Sequence, residues 1–186
     1  MVSLAHLWLP ILLSAVFVFI ASSIIHMALK WHNSDYHGLP NEDEARAAIR
    51  KDNPAPGMYV IPYCADMKEM GSEAMKAKYK EGPMGFLLLR PAGPMNMGKS
   101  LGMWFVYLLL VSLFAGYLGA HTLPMGDPYL HVFRVIGTAA VMAYAFSSIP
   151  MGIWWGQPKG AVIKDMLDGI IYALVTAGTF GWLWPR

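Results

Sequence analysis

The chain reads as an α-helical integral membrane protein: four transmembrane helices, with a small cytoplasmic α+β insert between the first and second. Three observations lead there. Apolar residues make up 56% of the 186 and charged residues only 14%, and mean hydropathy is +0.41, away from the balance of a soluble domain. Four stretches approach the roughly 20 apolar residues that a hydrocarbon core of about 30 Å requires. The charge is gathered in one place, because residues 31–99 hold 9 of the 14 Lys and Arg and 9 of the 12 Asp and Glu.

The first stretch, 4–29, has no Lys or Arg before Lys30 and is longer than the apolar core of a secretion signal, so a retained helix is expected. The others are 101–120, 130–152 and 166–184, the third interrupted by Arg134 and closed near Pro150. The division is residues 1–30 as helix 1, 31–99 as the insert and 100–186 as helices 2–4. Trp8, Trp31, Trp104, Trp154, Trp155, Trp182 and Trp184 fall near the predicted ends, where interfacial tryptophan collects. Lys30, Arg90, Lys99, Lys159 and Lys164 flank one side and only Arg186 the other. By the positive-inside rule both termini face outward, and the insert faces the cytoplasm of a bacterial inner membrane.

In the insert, "NEDEARAAIRK" predicts a helix with Asn41 as N-cap, acids in its first turn and Arg50 and Lys51 at its end, in the sense that suits the helix dipole. "MYVIPYC" predicts a strand ending near Pro62. "ADMKEMGSEAMKAKYK" predicts one helix with Met67, Met70, Ala74 and Ala77 on a single face, and "GFLLLRP" a second strand. Two strands make a marginal sheet, so the insert is expected to lean on the membrane, on the span ends or on another subunit.

Ionisable groups within spans are read as functional candidates. His26 lies four residues before Lys30 and Asp168 four after Lys164, which puts both about 6 Å inside the same face and predicts a proton-handling or structural pair. His26 and His32 are six residues apart and would point about 120° away from each other on one helix. His32, Asp35 and His37 are therefore expected together in the following loop as one possible metal set. His6, His121 and His131 form another on the outer side, with Met125 and Asp127, where imidazole and thioether would suit copper. Arg134, near that outer side, has Asp127, lipid phosphate or a partner protein as its expected companion.

Other motifs are weaker. Gly93, Gly98, Lys99 and Ser100 match the phosphate-loop spacing in "GPMNMGKS", but a phosphate loop follows a buried parallel strand, and here Ser100 opens an apolar span. The fourteen methionines, "DMKEMGSEAM" and "PMNMGK" among them, read as packing. Cys64 is the only cysteine, so no internal disulfide exists. The insert is neutral overall, which excludes a basic nucleic-acid surface. No nucleophile elbow or H-E-x-x-H occurs, and the sequence leaves the cofactor unknown.

The clearest pattern is small residues at helical spacing: Gly169, Ala173, Ala177 and Gly181, with shorter versions at Ala115 and Gly119 and at Ala139, Ala143 and Ser147. Such stripes let helices approach closely, inside one bundle or between subunits. The expected function is a non-catalytic accessory or assembly subunit of a larger membrane complex, meeting other membrane subunits, or its own copies, within the bilayer. The alternatives are a metal-dependent or redox membrane enzyme subunit and a small proton-coupled transporter.

Overall fold

The computed structural model describes residues 2–186. The chain forms two compact units, Met1–Tyr36 with Asn96–Arg186, and His37–Met95.

The first unit is a helical bundle. A 3₁₀ turn, Leu4–Leu7, leads into α1 (Trp8–Ser23), which passes directly into a π-helical turn, Ile24–Leu29. Later in the chain come α4 (Met97–Thr122), α5 (Tyr129–Tyr144), the short α6 (Ile149–Trp154) and α7 (Lys159–Trp182). Three helical stretches of 26 residues are long and apolar enough to cross a membrane: Leu4–Leu29, Met97–Thr122 and Tyr129–Trp154. The 24 residues of α7 are not among them. Lys164, Asp165 and Asp168 in its first half dilute its apolar character.

The expected third helix is broken. A 3₁₀ turn, Phe146–Ser148, separates α5 from α6, and Pro150 near the start of α6 has no N–H with which to continue an α-helical ladder. At the same level α7 presses closest. A Cβ placed on Gly169 would come within 2.6 Å of the backbone of Tyr144 and Ala145. Only a residue without a side chain permits that approach.

The small-residue stripe of α7 is thus spent inside the bundle. Ala173 and Ala177 are fully buried, and a Cβ on Gly181 would collide with the Tyr129 ring. Ala115 and Gly119 on α4 are also interior, Gly119 lying against Ile136 and Trp184. Two apolar clusters fill the bundle. Leu7, Ala120, Val132, Ile136, Phe180 and Trp184 close the end that holds both termini. Val18, Ile25, Leu108, Ala140, Tyr144 and Tyr172 fill the other. Ser14 Oγ lies 2.9 Å from Ser112 Oγ, a buried polar clasp between α1 and α4.

The second unit contains α2 (Glu42–Arg50), β1 (Gly57–Ile61), a 3₁₀ turn (Met67–Gly71), α3 (Glu73–Glu81) and β2 (Gly85–Leu89). The strands pair antiparallel, Gly57 opposite Leu89 and Ile61 opposite Gly85. Three expectations are corrected here. Asn41 sits at the N-cap position of α2 without capping through its side chain. The single helix expected from Ala65 to Lys80 is two pieces, because Ser72 takes up extended backbone and its hydroxyl accepts from Met75 N–H, starting a new helix. The methionine face is consequently lost: Met67 is 78% exposed and Met75 is the buried one. The "GPMNMGKS" segment follows an antiparallel strand, and Asn96 caps α4 through Lys99 N–H, so it lacks the setting of a phosphate loop.

Candidate functional site: a histidine–carboxylate cluster

The cluster begins with the end of the first apolar helix. The π turn widens the helix over Ile24–Leu29, and Lys30 then adopts a left-handed backbone with φ 53°, which costs a non-glycine residue roughly 1 kcal/mol. A 3₁₀ turn over Trp31–Asp35 follows, tied by Asn33 N–H to the Lys30 carbonyl. The chain thereby doubles back, and His32 returns beside His26 with ring centroids 4.8 Å apart. This corrects the expectation that the two rings point apart, which assumed one regular helix continuing through both. Non-glycine residues held left-handed often mark functional positions.

Helix α7 supplies the other wall. The Lys164 ammonium donates to the Trp31 carbonyl at 2.8 Å, the Ser34 hydroxyl at 2.8 Å and Asp35 Oδ1 at 2.6 Å, locking the 3₁₀ turn onto α7. One turn on, Asp168 Oδ2 lies 2.9 Å from His32 Nε2 and 3.5 Å from His26 Nε2. His32 Nδ1 faces Asp35 Oδ2 at 2.9 Å and Asp165 Oδ1 at 3.9 Å. Tyr172 OH is 3.4 Å from His26 Nε2, and Gln157 donates to Asp165 at 2.7 Å.

These contacts define what the site can do. His32 is thus held between two carboxyl groups, Nδ1 toward Asp35 and Nε2 toward Asp168, each ring nitrogen donating or accepting according to the tautomer. The hydrogen-bonded Lys164 ammonium holds the Asp35 carboxyl below the usual carboxylate range; partial burial opposes this and the His32 contact reinforces it. Asp35, Asp165 and Asp168 set against Lys164 leave a double negative charge when both imidazoles are neutral. The site is graded in exposure. The side chain of Asp168 is 5% exposed, that of His32 13% and that of His26 50%. His26 opens onto an apolar groove of about 500 Å³ between α1 and α4, lined also by Ser22, Ser23, Met27, Met97, Leu101 and Trp104.

The other candidates lie elsewhere. His37 belongs to the second unit. His6 is in the first 3₁₀ turn, His121 Nδ1 is 2.8 Å from the Tyr117 carbonyl, and His131 pairs with Asp127 at 2.8 Å. These three form no common ligand set among the described residues, where His26, His32 and Asp168 are the single such group. Asp127 is thus engaged by His131, and exposed Arg134 borders a separate groove with Phe133 and Phe146. Lys164 as the clamp and Tyr172 as the neighbour of His26 lie outside the expectations from sequence. The i, i+4, i+8 positions Lys164, Asp168 and Tyr172 on one helix face were the available signal. The chain matches no family model, no curated protein and no solved structure.

Proposed function

We propose that the chain is a non-catalytic accessory or assembly subunit of a larger membrane complex. In this reading it crosses a bacterial inner membrane four times, α7 being the fourth span, with both termini outside and residues 31–99 in the cytoplasm. The apolar helices and the basic residues flanking one side support the topology.

One observation carries the subunit reading. Met75 is the sole buried residue among those described between His37 and Met95. Ordering a backbone costs about 1–2 kcal/mol per residue, and a two-stranded sheet is marginal by itself. Met58, Val60 and Leu88 on one sheet face are exposed. A segment with so little core gains its missing apolar burial by being covered, and a partner subunit would provide that cover.

Extraction in mild detergent through a tag on this chain tests the reading. The expected result is a particle well above 20.6 kDa containing other polypeptides in fixed ratio, lost when residues 37–95 are replaced by a short linker. A monodisperse single chain overturns it. The topology has its own check: a membrane-impermeant maleimide should reach Cys64 from the cytoplasmic side only. The histidine cluster favours a second reading, a metal-dependent membrane protein.

A further inference from the structure

We infer that His26, His32 and Asp168 form a binding site for one divalent transition-metal ion of the zinc type. Three independent features of the cluster converge on this.

The first is the donor set and its spacing. Two imidazoles and a carboxylate suit borderline ions such as zinc, and their ligand atoms all lie within 4.8 Å of one another. Zinc bonds of about 2.0–2.2 Å place tetrahedral ligand atoms roughly 3.3–3.5 Å apart. The His32–Asp168 and His26–Asp168 separations of 2.9 and 3.5 Å bracket that range, so side-chain adjustment completes the set.

The second is the surround. A metal-bound histidine characteristically donates its other N–H to a carboxylate, which fixes tautomer and orientation. Asp35 stands at His32 Nδ1 in this way and is itself anchored by Lys164. In that arrangement Nδ1–H donates to Asp35 and leaves the Nε2 lone pair free for an ion. Three carboxyl groups, those of Asp35, Asp165 and Asp168, against the one ammonium of Lys164 make the surround favourable to a cation.

The third is Asp168 Oδ1, which is buried and has no hydrogen-bond partner among the described residues. Buried carboxylate oxygens are rarely left so, and bidentate coordination would occupy this one. His26, exposed on the groove side, leaves the ion approachable from there, the open position typical of a non-structural site.

The test uses the full chain purified in detergent, stripped with chelator and titrated with Co²⁺ alone. The expected result is uptake of about one equivalent with the visible absorption of four- or five-coordinate Co²⁺, stronger than that of the hydrated ion and abolished by Zn²⁺. His26→Ala and His32→Ala should lose the band. Asp35→Asn should keep it while weakening affinity about 10–100-fold, and His131→Ala at the opposite end should change nothing. Absence of stoichiometric uptake by the unaltered chain overturns the proposal whatever the variants do. So does a band unaffected by His26→Ala and His32→Ala. The experiment needs no partner subunit, so it stands or falls separately from the accessory-subunit reading.

Discussion

His32 Nε2 and Asp168 Oδ2 lie 2.9 Å apart although 136 residues separate them in the chain. That contact ties the reversal after the first apolar helix to the last helix of the bundle, and it rests on a second tie, from Lys164 to Asp35.

Lys164→Met removes the donor to Trp31, Ser34 and Asp35 at once. The Trp31–Asp35 turn should loosen, seen as faster amide hydrogen exchange over residues 31–36, while helix content holds. Unchanged exchange there would mean that the turn is held by something other than the ammonium.

Gly169→Ala inserts a methyl group into backbone, since the atoms 2.6 Å from its Cβ are Ala145 N and Cα and Tyr144 C. Overpacking costs typically 1–3 kcal/mol, and backbone yields less than a side chain. Thermal denaturation in detergent should show a clear loss of stability. Gly178→Ala meets only Tyr129 OH at 3.6 Å and should be near neutral, so equal losses at both positions would refute the close crossing.

Ser14 and Ser112 are each fully buried and hydrogen-bonded to one another. Such pairs between membrane helices contribute about 0.6 kcal/mol on average, with a maximum near 1.7. A double-mutant cycle of Ser14→Ala and Ser112→Ala should return a coupling in that range, and strictly additive effects would show that the clasp contributes nothing.

In the second unit, Ser72→Ala deletes the hydroxyl that accepts from Met75 N–H at the start of α3. Loss of an N-cap costs about 1 kcal/mol. Hydrogen exchange should accelerate over the first turn of α3, whereas Ser72→Asp, which preserves an acceptor, should restore protection.

Helices were legible in the sequence to the degree that apolarity alone specifies them. The stretches 4–29 and 101–120 correspond to helical segments because twenty or more apolar residues admit few alternatives. The 130–152 stretch, interrupted by Arg134 and closed near Pro150, was expected as one helix, yet it breaks after Tyr144. The break answers to Gly169 on another helix as well as to Pro150, and only the proline is visible locally. Proximity of His26 to Asp168 followed from counting residues inward from Lys30 and Lys164. Recruitment of His32 did not, because helix-phase arithmetic fails once a π turn and a left-handed lysine intervene. Nothing in "HMALKWH" itself demands that lysine conformation, which is stabilised by contacts from α7. Ser72, by contrast, was a readable stop, a capping residue followed by Glu73 in the middle of a presumed helix.

The sequence distance between the two halves of the cluster also sets an order of events in biosynthesis. Translation proceeds from the N-terminus at about 5–20 residues per second, so His26 and His32 exist for several seconds before Asp168 is made. During that interval the reversal after Leu29 lacks its clamp, and any nascent chain stopped before α7 carries two histidines with no carboxylate from that helix to receive them. Completion of the cluster therefore marks a chain that has been made through Asp168, and the turn at Trp31–Asp35 gains its second wall only then.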